Sequence, residues 1–348
     1  MKRLLPLFVL ALAGAALAET ATDTADTADT ADTADTADTA FLDSADTGEP
    51  LHDSEPLDSG YFLDSEHLGD DTGDTGETPL ACDERGLFVG DLVFSSSDAL
   101  SEFAERYGEL SGTLRLVGIP ELVDLSELEC LRSAAALEIE GMPALREVRL
   151  EGFSTSRLSL VGNPVLEDVE LTMPELSGGL VVAEAPRLRQ LSVDLYAASE
   201  VTLQDLGSAY VQLDKLVLVE GDVRLSGLSG TIDLGRLTRV DGDLSLRDLA
   251  NRDLRFLDGL VHVGDTLEIV GMPSLRSLRG PRLARLNRLS LAGIPELTSL
   301  DGLEDLVEIS TLHLEALPEL RDLSGIEDLR RLDAVEGDQR YRKLLMTE

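Results

Sequence analysis

The sequence predicts a β-rich solenoid, a stack of about eleven leucine-rich rungs of 21–23 residues that follows a long acidic tract. Three observations predict it: a twelve-residue template, L-x-L-x-x-x-P-x-L-x-x-L, fits seven segments; the first apolar residues of successive units step evenly along the chain; and the composition changes abruptly at Leu80.

At the amino end, Lys2 and Arg3 precede an apolar run from Leu4 to Ala15 and the small-residue sequence Ala16-Leu17-Ala18. This is the three-part pattern of a secretory signal, with cleavage expected after Ala18. An uncleaved anchor is the weaker reading, because the run falls short of the roughly 20 residues a bilayer span needs. No later segment is apolar enough to cross a membrane, so the mature chain (19 onward) is expected to have no membrane span.

Residues 19–79 hold nineteen acidic and no basic residues, leaving 48 acidic against 27 basic residues from Leu80 onward, out of a net charge of −38. Both parts repel phosphate backbones and anionic lipid, which excludes nucleic acid as an expected partner. From Asp23 the tract repeats Asp-Thr-Ala, then continues to Pro79 with isolated apolar residues such as Phe41, Tyr61 and Phe62. It cannot bury enough surface to offset its ordering entropy, so a disordered, extended linker is expected. The three-residue ladder of Asp allows loose association with divalent cations but offers no cage, so no metal site is expected.

The prolines mark the repeat best. Pro120, Pro143, Pro164, Pro186, Pro273, Pro295 and Pro318 each lie four residues after an apolar strand residue and two before a Leu. The long gap after Pro186 has room for three more units, visible as Val201-Thr202-Leu203, Val223-Arg224-Leu225 and Leu244-Ser245-Leu246. With Leu92-Val93-Phe94 at the start, the unit openings run Leu92, Leu114, Leu137, Leu158, Leu180, Val201, Val223, Leu244, Leu267, Leu289 and Leu312.

In L-x-L both apolar side chains face one side of a short strand and the middle residue faces the other. No unit buries its apolar face alone. Stacked at about 4.8 Å, the units form a parallel sheet whose Leu columns make one core, each buried Leu contributing roughly 1.5–3 kcal/mol. Gly118, Gly141, Gly162, Gly271 and Gly293, two residues before a proline, suit a turn. Later pairs such as Leu297 and Leu300 are expected on a second inner wall.

A 22-residue unit leaves little room for a helix on each rung. One short capping helix is expected at the start, over Ser97–Tyr107, with Leu100, Phe103, Ala104 and Tyr107 on one face and Ser97 as its cap. The solenoid is expected over 80–332. The segment 333–348, with Arg340, Arg342 and Lys343, leaves the template and reads as a terminal cap or tail.

Gly90-Asp91-Leu92-Val93-Phe94, Ser111-Gly112-Thr113-Leu114-Arg115-Leu116 and Asp241-Gly242-Asp243-Leu244-Ser245-Leu246 resemble the receptor L-domain of growth-factor-type receptors and its bacterial leucine-rich relatives. The resemblance covers roughly 82–332 and implies a right-handed β-helical solenoid that binds proteins. Eleven rungs exceed one L-domain, so the alternatives are two in tandem meeting near 198–207 or one long array. Growth-factor binding does not carry over, because the chain has no Trp and no cysteine-rich module.

Cys82 and Cys130, the only cysteines, stand at the domain entrance and the end of the second rung, where a disulfide would clip the cap to the array. That agrees with an exported location, whether extracellular, cell-surface or periplasmic. Two free thiols are the alternative.

No nucleophile, zinc, phosphate or dinucleotide motif occurs, so no catalytic, cofactor or metal residue is nominated. The middle residues of the strands form the natural binding surface: Arg115, Glu138, Ser159, Thr202, Arg224, Ser245, Glu268, Ser290 and His313, with Val93 and Val181 between them. Arg115 beside Glu138, and Arg224 near Asp243, are expected to satisfy each other across rungs. The sequence reading is a secreted or cell-surface, non-catalytic binding module with an unknown protein or glycan ligand. A structural envelope component and a carbohydrate-active β-helix enzyme are the alternatives.

Overall fold

The computed structural model describes residues 80–173 and 175–341. The predicted signal (1–18), the linker (19–79) and the end of the chain from 342, with Arg342 and Lys343, lie outside the described residues. The described chain forms a right-handed parallel β-solenoid of about eleven turns with very little helix.

Alternation fixes the register. The front sheet has twelve parallel strands, and all eleven predicted openings stand in one column as Cα partners from Leu92 to Leu312. Their side chains, and those two residues later, are all buried. Strand Val201–Gly207 pairs on both sides, so the front sheet runs unbroken past 198–207.

Two smaller parallel sheets of five strands each complete a three-sided cross-section in the middle turns. One spans Glu147–Glu151 to Ile232–Asp233; the other, of two-residue strands, spans Glu175–Leu176 to His262–Val263. Their inward residues, such as Val148, Val169 and Leu191 or Val219, Val240 and Val263, enter the same core. Leu297 and Leu300 are fully buried on the inner side, as expected.

The front sheet ends at a corner that every full turn makes in one way. Gly118, Gly141, Gly162, Gly227, Gly271 and Gly293 have φ between +60° and +68° there. Among the described residues the four non-glycine residues with positive φ, Glu184, Asp205, Asp248 and Ala316, occupy the same corner in the remaining full turns. Proline follows two residues later, where it needs no donor. In two rungs without it the N–H at that place bonds to the neighbouring rung, from Ser229 to Gly207 O (2.8 Å) and from Ala250 to Leu228 O (3.1 Å).

Between corner residue and proline the chain turns one side chain inward. At this place Asn163 is fully buried; its Oδ1 accepts the Met142 N–H (3.0 Å) and its Nδ2 donates to Ile139 O (3.2 Å). The amide thus satisfies two backbone groups of the preceding rung.

The amino end is closed by the helix Ser97–Arg106, which buries Ala99, Leu100, Phe103 and Ala104. Its N-cap is Ser96 rather than Ser97 and makes no side-chain capping bond; Tyr107 opens the next strand instead of ending the helix. Phe103 packs against Phe88, Phe94 and Tyr107 with ring centroids 5.3–6.1 Å apart. Cys82 and Cys130 lie at disulfide distance beneath this cap, with Cα atoms 5.0 Å apart.

At the other end a twelfth strand, Arg331–Gly337, pairs in register with Glu308–Glu315 and is largely exposed. Beyond it Tyr341 is fully buried, its hydroxyl donating to Leu317 O (2.8 Å) and accepting the Leu317 N–H (3.0 Å).

Candidate functional site

The middle residues of the front strands stand in one outward column from Val93 to His313, as Cα partners rung by rung, and Glu336 extends it by one. The structure brings six of the nine nominated residues together. Thr202, Arg224, Ser245, Glu268, Ser290 and His313 line one concavity of about 630 Å³ on rungs six to eleven. Arg115, Glu138 and Ser159 lie on the same column outside it.

Strand geometry places further residues on either side of this floor, because positions two before and two after a middle residue share its face. Asp243, Thr266 and Arg288 form one bank; Gln204, Ser226 and Arg247 form the other. Small side chains in the column create the hollow, and longer ones beside them supply its walls.

Every guanidinium in the groove has a carboxylate partner. Arg247 donates to Glu268 through Nη2 (2.6 Å), and the Ser245 hydroxyl donates to the same carboxylate (2.8 Å). Arg288 reaches two rungs along to Glu336 (2.6 Å). Arg224 pairs with Asp222 of its own rung (2.5 Å), not with Asp243 as its proximity in sequence suggested. Asp243 instead accepts the Thr266 N–H through its Oδ1 (2.9 Å).

That engagement explains the Gly-Asp-Leu motif. Asp91, Asp222 and Asp243 each accept the N–H of the residue one rung on, at Thr113 (2.6 Å), Asp243 (2.8 Å) and Thr266 (2.9 Å). The glycine before Asp243 is required by close approach, since a Cβ on Gly242 would lie 2.2 Å from an Asp222 carboxylate oxygen. The motif is therefore a rung-to-rung clamp at the strand start.

Outside the groove, Arg115 meets Glu138 at 3.8 Å, and its closer partner is Glu140. The bond to Glu140 raises the Arg115 pKa above its ordinary value. His313, about one-fifth exposed, ends the groove; its Nε2 lies 3.2 Å from Glu315, while its buried Nδ1 has no hydrogen-bond partner. Sequence reasoning missed Glu336 on the twelfth strand and the bank residues Gln204, Ser226, Arg247, Thr266 and Arg288. The alternation that found the middle column points equally to the positions two residues either side.

Among the described residues no group of three or more His, Cys, Asp or Glu is placed to hold a metal ion, and no helix is long and apolar enough to cross a membrane. The fold and the groove define a parallel β-solenoid with a polar groove along its front sheet. No protein-family model and no curated protein matches the chain.

Proposed function

We propose that this chain is an exported, non-catalytic binding module that presents its ligand site on the front sheet of a leucine-rich solenoid, carried on an acidic stalk. The groove over rungs six to eleven carries this reading. It is the part of the front sheet where the outward column is hollow, and it is lined by side chains able to donate and accept hydrogen bonds. Export is supported by the signal-like amino end and by the cysteine pair at disulfide distance, which an oxidising compartment would keep closed.

A non-catalytic role is supported by how the acids are used. Glu268 and Asp243 are both tied to partners within the scaffold. A general acid or base needs a carboxyl free to exchange its proton with a substrate. The L-domain-like Gly-Asp-Leu pattern agrees with a binding role and is a likeness of motif alone.

Capture of binding partners from cell-surface extracts by the full chain tests the reading. Ser245→Trp, which fills the groove, is expected to abolish specific capture, and Ser192→Trp on a side wall to leave it intact. Equal capture by both variants would show that the groove is not the site. Turnover of any glycan by the purified chain would overturn the non-catalytic assignment.

A further inference from the structure

We infer that the groove takes a linear, uncharged polyhydroxylated chain, a neutral polysaccharide strand lying along the solenoid axis. The inference rests on the binding-face reading above and names the class of ligand. Electrostatics excludes anionic ligands first. Arg224, Arg247 and Arg288 are each paired with a carboxylate at 2.5–2.6 Å, and Asp243 adds a further negative charge to the lining, so no cation is left over for a phosphate, sulfate or uronate. An anionic ligand would have to displace a carboxylate from its arginine and would meet the remaining acids.

The lining also argues against a protein. Anchoring pockets for protein side chains are built around aromatic and large apolar groups. This groove offers none at its surface: its leucines, Leu203 and Leu225, are fully buried. A peptide adding to the sheet would need an open edge, and the strands under the groove are hydrogen-bonded on both sides.

What the lining does offer is a dense row of groups that both donate and accept. The hydroxyls of Thr202, Ser226, Ser245, Thr266 and Ser290, with the Gln204 amide, recur from rung to rung. Paired guanidinium and carboxylate groups present donors beside acceptors, which matches neighbouring hydroxyls on a sugar ring. The rungs repeat at about 4.8 Å, so the pattern is periodic and straight, as a repeating linear ligand requires.

Calorimetric titration of the full chain with β-linked glucan, mannan and xylan oligosaccharides tests this. At least one neutral series is expected to bind, with affinity little changed by added salt, because no counterions are released. Ser245→Trp is expected to weaken it by about tenfold or more, as is Gln204→Ala combined with Arg247→Ala should the Trp variant misfold. Ser192→Trp should have no effect. Failure of every neutral series, or groove-dependent binding of oligogalacturonate or a peptide instead, overturns the inference. In the peptide or oligogalacturonate case the binding face stands. Partner capture that ignores Ser245→Trp removes the face itself.

Discussion

Ala316 holds φ +50° in a corner where six other rungs place glycine. A left-handed backbone costs an L-residue roughly 1–2 kcal/mol, part of which is offset because glycine frees the unfolded chain. Ala316→Gly is therefore expected to stabilise the fold by about 0.5–1 kcal/mol, read as a shifted urea midpoint. Gly118→Ala should lose about as much, although a Cβ there meets nothing within 4 Å, so the loss would be purely conformational. No midpoint change in either variant would mean the corner carries no strain. The columns make a sharper contrast: Leu267, 1% exposed, faces the core, and His313 faces the groove. Leu267→Asp should unfold or aggregate the domain while His313→Ala stays within about 0.5 kcal/mol of wild type in thermal melting. The opposite ranking would refute the register. Glycine at the corner could be read from sequence, because the proline two residues on marks it. Glu184 and Ala316 share that mark, standing before Pro186 and Pro318, whereas Asp205, Gly227 and Asp248 have no proline two residues on; the left-handed backbone of the four residues other than glycine is set by their stacked neighbours and was not legible.

At the level of elements, the amino-terminal cap sits over a cysteine pair at disulfide distance. By the chain-entropy relation, closing a loop of this length contributes about 4 kcal/mol, so Cys130→Ser should lower the melting temperature and reductant should reproduce the loss in wild type. Alkylation of both thiols in the non-reduced protein would exclude the bond. Two short loops contribute to the pH dependence. The Ser126 hydroxyl and N–H hold the Asp124 carboxyl below its ordinary value of 3.8, and Ser324 does the same for Asp322. A depressed folded pKa stabilises above the unfolded value and the contribution disappears as pH falls through the folded one. The stability difference between wild type and the Asp124→Asn, Asp322→Asn double variant should be constant above about pH 5 and shrink as pH falls below the ordinary carboxylate range in urea titrations. A difference that persists in acid would place its origin elsewhere. Element by element, the front strands were legible because two buried leucines per rung fix both face and register. The side walls were not, as a strand of two residues such as Arg239–Val240 buries a single side chain. Nor was the strand Arg331–Gly337, whose exposed pattern has no further rung to pack against. With it went Glu336, and so half of the ion pair that fixes one end of the groove.

Taken whole, the molecule places its charge and its core in separate layers. Leucine columns run the length of the stack inside, and the excess acid lies on the linker and the outer faces. Twelve parallel strands in register, spaced at about 4.8 Å, share the strand geometry of a cross-β fibril, with nothing inside the repeat to set its length. Aromatic side chains cover the described ends, Phe103 with its neighbours at one and the buried Tyr341 beside the twelfth strand at the other. Opening both, with Phe103→Asp and Tyr341→Asp, should convert monomers into elongated end-to-end assemblies visible by electron microscopy. Persistent monomers would show that the charged strand Arg331–Gly337 guards its edge unaided. Assembly of that kind would make the stack a filament segment whose described ends act as stops.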